Sequence, residues 1–114
     1  MTIDELIARE EIRRTLAAYH LAGDRARTDE FASLFTADGV LETPHSRYEG
    51  REDIRQWMRG MTQRPAAAAG TPKVTFVRHH ITTCHIELTG PDKASVRTYY
   101  AVFTDSGPDH CGYY

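Results

Sequence analysis

Apolar positions recur at helical spacing over the first half of the chain and at strand spacing over the last third. Thr2-Ile3-Asp4-Glu5 has the form of a capping box, in which a threonine side chain and a glutamate three residues later satisfy each other's backbone N–H groups. Ile3, Leu6, Ile7, Ile12, Leu16 and Tyr19 then fall mostly on one side of a helix, which predicts a first helix from about Thr2 to Leu21, ending near Gly23. Thr28-Asp29-Glu30 predicts the start of a second, shorter helix with Phe31, Leu34 and Phe35 at i, i+3 and i+4, broken by Asp38-Gly39. A short extended piece, Val40 to Thr43, runs into Pro44. Gly50 to Met61 reads as a third helix with Ile54, Trp57, Met58 and Met61 on one face. Gln63 to Pro72, with four consecutive alanines between prolines, reads as a mobile loop.

From Lys73 the period becomes two. Val74 and Phe76 take one parity, Val77, His79 and Ile81 the other, and Ile86 and Leu88 follow after an interruption at Thr82-Thr83. A parity switch inside one extended run predicts a bulge or bend. Gly90-Pro91-Asp92-Lys93 is a turn, and Ala94 to Thr104 is a second strand that pairs with the first as an antiparallel hairpin. Gly107-Pro108-Asp109 is expected to turn the chain again, toward a third strand barely begun at Tyr113-Tyr114. Helices first and a meander of strands afterward imply an α+β domain whose helices cover one face of a curved antiparallel sheet and enclose a pocket.

The chain has 114 residues, enough for one core, so a single domain over 1–114 is expected. Lys and Arg number 14 against 16 Asp and Glu, giving a formal net charge of −2, and the basic residues are dispersed. That distribution argues against a nucleic-acid footprint and for a small molecule or another protein as partner. The acidic start MTIDELIAREE lacks the basic and apolar regions of a leader, and no segment approaches the ~20 apolar residues of a membrane span, so a cytoplasmic location is expected. The two cysteines, Cys84 and Cys111, are read as free thiols.

Candidate chemistry concentrates in Val77-Arg78-His79-His80-Ile81-Thr82-Thr83-Cys84-His85. Strand parity puts His79 on the face of Val77 and Ile81, and Arg78 and His80 on the other. A metal reading would draw on Cys84-His85 and His110-Cys111, but adjacent strand residues point to opposite faces and no zinc spacing occurs, so no metal is expected. Tyr19 is either core of the first helix or a pocket hydroxyl, and Trp57 is most simply core of the third. Tyr99, Tyr100, Val102 and Phe103 alternate, so one parity lines the pocket and the other faces a subunit contact; Arg97 shares the parity of Tyr99. Phosphate loops, serine elbows and nucleotide fingerprints do not occur, which implies chemistry without a cofactor.

The order Tyr19…Asp24…Phe31…Leu34-Phe35-x-x-Asp38-Gly39-Val40, then Gly50-x-x-x-Ile54, then Arg78-His79-His80-Ile81, resembles the SnoaL-like branch of the NTF2-like superfamily, a cone-shaped α+β fold. The resemblance spans nearly the whole chain and leans toward the scytalone dehydratase-related branch. There an acid after the first helix pairs with a strand histidine, and those positions fall on Asp24 and His79; Asp24 lies eleven residues before Phe35, the spacing of that branch. The branch's tyrosine before the acid is Gly23 here, its pocket tyrosine falls near Thr43 and its second histidine near Thr104. Its final strand is also expected beyond Tyr114, so the domain is expected to be incomplete at its C-terminus or completed by a partner chain.

The resemblance implies a lyase or isomerase that moves a proton on a small hydrophobic, aromatic or polycyclic molecule. His79 and Asp24 are the implied catalytic pair, and Tyr19, Val77, Ile81, Tyr99 and Trp57 the substrate-binding residues. A homodimer or homotrimer through the sheet is implied as well. A histidine held by a helix-terminal aspartate for structure alone, a ligand carrier, or an oxygenase small subunit would leave the same residues in place.

Overall fold

The computed structural model describes residues 1–62 and 75–114. The alanine-rich stretch Gln63 to Pro72 and the expected strand start at Lys73-Val74 lie outside them. The elements run α1 (Ile3–Asp24), α2 (Thr28–Ser33), β1 (Val40–Glu42), β2 (Arg47–Glu49), α3 (Arg51–Thr62), β3 (Val77–Gly90), β4 (Lys93–Thr104) and β5 (Gly107–Tyr113). They divide into two compact units, Thr15–Thr71 and Met1–Arg14 with Pro72–Tyr114.

The capping box forms as expected, with Glu5 N–H donating to Thr2 Oγ1 at 3.1 Å and Thr2 N–H donating to Glu5 Oε2 at 2.8 Å. α1 continues through Gly23 to Asp24, so Gly23 does not end it. The left-handed residue that does is Ala26, at φ 55°, where the Arg27 N–H returns to the Ala22 carbonyl at 2.9 Å. The apolar stripe of α1 does not report burial faithfully. Ile3, Leu6 and Ile7 are exposed, while the polar His20, adjacent to Tyr19, is buried at 7%. Amphipathic spacing marks a face, but which turns find a neighbour depends on residues distant in sequence.

Within the unit Thr15–Thr71 the core is Ala22, Phe31, Ile54 and Met58, surrounded by Tyr19, Phe35, Leu41, Tyr48 and Trp57. Burying Phe31 and Ile54 stabilises this unit by about 1.5–3 kcal/mol for each side chain. α2 stops at Ser33, and Phe35 lies beyond it. The extended piece at Val40 proves to be one arm of a small hairpin, with Leu41 opposite Tyr48. Gly50, at φ 89°, turns the chain into α3 while its N–H bonds the Gly39 carbonyl at 2.7 Å. The Arg51 guanidinium then donates twice to the Phe35 carbonyl, at 2.8 and 2.6 Å.

In the other unit the strand order is β3-β4-β5, antiparallel throughout. The expected irregularity in β3 falls between Ile81 and Thr83. Its buried parity switches there from Val77, His79 and Ile81 to Ile86 and Leu88. Arg9, in the first part of α1, donates to the Ile86 carbonyl at 2.6 Å. β5 corrects the sequence reading: it covers Gly107–Tyr113 instead of beginning at Tyr113. The turn is Asp105-Ser106, with Gly107 at φ 94°, and Pro108 is tolerated because β5 has no further strand beside it among the described residues.

Candidate functional site

Residues directly opposite each other in an antiparallel pair share a face, so the register assigns every side chain of the sheet. One face carries Val77, His79 and Ile81 from β3, with Thr104, Val102 and Tyr100 opposite them on β4. Beyond the irregularity it continues with Cys84 opposite Thr98 and Ile86 opposite Val96. β5 adds His110 opposite Val102 and Gly112 opposite Tyr100, and Tyr114 follows through paired backbone bonds with Thr98. This is the buried face: Val102 and Thr98 are each 1% exposed and Ile86 is 5%.

The face gathers two imidazoles and two phenols. The His79 ring lies 5.8 Å from that of Tyr100 and 6.5 Å from that of His110, the two imidazoles nearly perpendicular at 87°. Tyr100 sits 5.9 Å from His110 and 4.7 Å from Tyr114. It reaches across β5 because Gly112 has no side chain: a Cβ there would come within 2.9 Å of the Tyr100 hydroxyl. Two residues along β4, Thr98 Oγ1 is buried without a hydrogen-bond partner, a polar atom that a ligand oxygen would satisfy.

Asp109 Oδ2 lies 2.5 Å from His110 Nδ1. Neighbouring strand residues ordinarily diverge, but the register shifts between Val102 and Phe103, so Asp109 is the extra residue of a bulge between Pro108 and His110. A carboxylate only accepts, so the proton of this bond belongs to Nδ1, and Nε2 is the end that remains for a ligand.

The predicted residues distribute unevenly over these features. Val77, His79 and Ile81 share the buried face as expected, each half-buried. Tyr99 does not join them. It stands opposite Thr83 and Tyr113 on the other face, 57% exposed, with Arg97, Phe103 and His80. The β4 parity that meets His79 is therefore the one containing Tyr100, and Arg97 is directed away from it. Asp24 is the half-buried last residue of α1, in the unit Thr15–Thr71, whereas His79 belongs to the unit of the three-stranded sheet. Tyr19 and Trp57 both pack on Phe31, at ring distances of 4.7 and 6.4 Å. Core packing accounts for the burial of both.

Sequence reasoning missed Tyr100, Thr98 and the pair Asp109-His110. Aromatic residues on both parities of β4 hid the inward one, and only the charge of Arg97 pointed to the outward face. His110 had entered only as part of a metal reading. Cys84 and Cys111 are free and exposed, and the register puts them on opposite faces of the sheet. No group of three potential metal ligands converges among the described residues. An open groove of about 610 Å³ lined by Arg97, Tyr99, Tyr113 and Tyr114 involves the face opposite His79 in its Arg97, Tyr99 and Tyr113 walls. No helix among the described residues is long and apolar enough to cross a membrane.

A family model described as a SnoaL-like domain matches residues 4–111. No curated protein matches the chain significantly. Among solved structures, a proposed scytalone dehydratase from Novosphingobium aromaticivorans DSM 12444 is similar at 20% identity and a TM-score of 0.76, covering 99% of this chain and 71% of that one. The beta subunit of a proposed aromatic-ring-hydroxylating dioxygenase from the same organism gives 20% identity and a TM-score of 0.74, over 96% of this chain and 77% of that one. Both likenesses establish the fold, the α+β NTF2-like arrangement of N-terminal helices and antiparallel sheet. A Catenulispora acidiphila protein in complex with S-DNPA gives 26% identity and a TM-score of 0.69, over 94% and 75% of the two chains.

Proposed function

The chain belongs to the SnoaL-like domain family, and from that premise we propose that it is a small lyase or isomerase that moves a proton on a hydrophobic, aromatic or polycyclic molecule without a cofactor. The observation that carries this reading is His79, half-buried among Val77, Ile81, Val102 and Tyr100 on the face where the sheet keeps its apolar side chains. An imidazole beside apolar walls accepts a proton from a carbon acid that those walls hold against it. The complex of the Catenulispora acidiphila protein with S-DNPA supports a ligand site in this fold. Asp24 is the second residue proposed for this chemistry, as the carboxylate that the family resemblance pairs with a strand histidine.

The test uses the purified full chain and two carbon-acid probes. 5-Nitrobenzisoxazole opens once a base removes its proton, and 4-hydroxy-4-phenylbutan-2-one loses water. His79→Ala is expected to lower kcat on both by about 100-fold or more, and Asp24→Asn to lower it less. Wild-type rates in His79→Ala, unchanged from pH 5 to 8, would remove the histidine from the chemistry.

A second reading rests on the other face. Tyr99, Phe103 and Tyr113 stand there 57%, 36% and 80% exposed, and the dioxygenase beta subunit shares the fold. In that reading the sheet serves assembly, as a homodimer or homotrimer or against a larger subunit. Assembly through this face is compatible with catalysis on the opposite one.

A further inference from the structure

We propose that His110, its ring oriented by Asp109, is a second proton-transfer residue that works across Tyr100 from His79; this rests on the lyase reading above. The register sets the two imidazoles on either side of Val102, in one row of one face. Their centroids are 6.5 Å apart and each lies within 6 Å of the Tyr100 ring. A carbon that loses a proton and the neighbouring carbon that loses an oxygen are both within hydrogen-bonding reach of two such ring tips. The bulge at Asp109 turns its carboxylate to His110 Nδ1 and fixes which nitrogen faces the site.

Structure alone does not call for this pair. The side chains of Asp109 and His110 are 52% and 53% exposed, so water would satisfy both without the contact. An exposed pair of this kind adds little stability and costs side-chain freedom. Its consequence is the orientation of one imidazole beside another.

In the step proposed, neutral His79 takes the proton on the carbon next to the carbonyl. The electrons of that C–H bond form the carbon–carbon double bond as the C–O bond of the β-hydroxyl breaks. Protonated His110 gives its Nε2 proton to the departing oxygen, which leaves as water. His79 ends protonated and His110 neutral, and the proton returns between the half-exposed rings through solvent. Asp109 is a positioning residue: its carboxylate accepts from His110 Nδ1 and holds the ring.

The two probes separate base from acid. The benzisoxazole opens to a stable phenolate and depends on the base, whereas hydroxide is a poor leaving group and depends on an acid as well. His110→Gln is expected to reduce kcat for the hydroxy ketone at least about tenfold more than for the benzisoxazole, with KM little changed. Asp109→Asn is expected to reduce the hydroxy-ketone rate in the same direction, and Asp109→Glu to recover part of it. Independently, the imidazole nitrogen NMR signals of His110 should report a proton on Nδ1 in the wild-type neutral ring and on Nε2 in Asp109→Asn. A hydroxy-ketone to benzisoxazole ratio unchanged in His110→Gln, or an equal fall in both rates, overturns the role of His110 while leaving His79 as base. An unchanged His110 tautomer in Asp109→Asn overturns the positioning role. Wild-type inactivity on both probes, or rates indifferent to His79→Ala, overturns the lyase reading and this inference with it.

Discussion

Gly112 shows how a single missing side chain shapes the face around His79. Tyr100 lies across it, and a Cβ would stand 2.9 Å from its hydroxyl oxygen and 3.0 and 3.1 Å from the nearest ring carbons, closer than ordinary van der Waals contact. Gly112→Ala is therefore expected to swing the Tyr100 ring off β5, loosening its contacts with His110 and Tyr114. The cost to stability is about 1–3 kcal/mol, read from urea denaturation. Nuclear Overhauser contacts between the Tyr100 and His110 rings should weaken in parallel; contacts of wild-type strength would show that the ring accommodates the methyl. The residue scale is also where the sequence was least transparent. His79 was legible from parity because its strand neighbours are plainly apolar. Tyr100 was not, because Tyr99 beside it is an equally good strand residue.

At the scale of elements, the hairpin ends explain why β3 begins where it does. The Asp105 carboxylate, in the β4–β5 turn, accepts the backbone N–H groups of Thr75 and Phe76 at 2.8 and 3.2 Å and the Thr75 hydroxyl. The Thr75 side-chain bond and then its backbone bond hold Asp105 below its ordinary 3.8, at about 2. A carboxyl depressed in the fold stabilises it fully above its unfolded value and loses that contribution as pH falls through the folded one. Hydrogen exchange at Phe76, corrected for the intrinsic pH dependence, is therefore expected to lose protection between about pH 4 and 2. In Asp105→Asn the protection should be lower throughout and no longer vary with pH over that range. The same element shows the limit of turn signals: Gly107-Pro108-Asp109 looks like a turn, yet it opens a strand, because an edge position excuses the proline and a bulge absorbs the aspartate.

For the whole molecule, the proposed assembly through the Tyr99, Phe103 and Tyr113 face makes a prediction separate from the chemistry. Tyr99→Arg with Phe103→Arg is expected to convert a wild-type dimer or trimer to a monomer in sedimentation velocity, since charges buried in an apolar contact cost several kcal/mol. A monomeric wild-type chain would count against the interface. The sequence by itself determined the order and type of most elements, the capping box at Thr2 and Glu5, the break in β3 near Thr82 and the family to which the chain belongs. These are local matters of period, cap and spacing, or a pattern spread along the whole chain. Tertiary structure alone decided that His20 is buried, that Gly107–Tyr113 is a strand, that β4 presents Tyr100 to His79, and that Asp109 reaches His110. Each of these depends on the pairing of residues distant in sequence, and strands with aromatic residues on both parities carry no local sign of which face their neighbours will take.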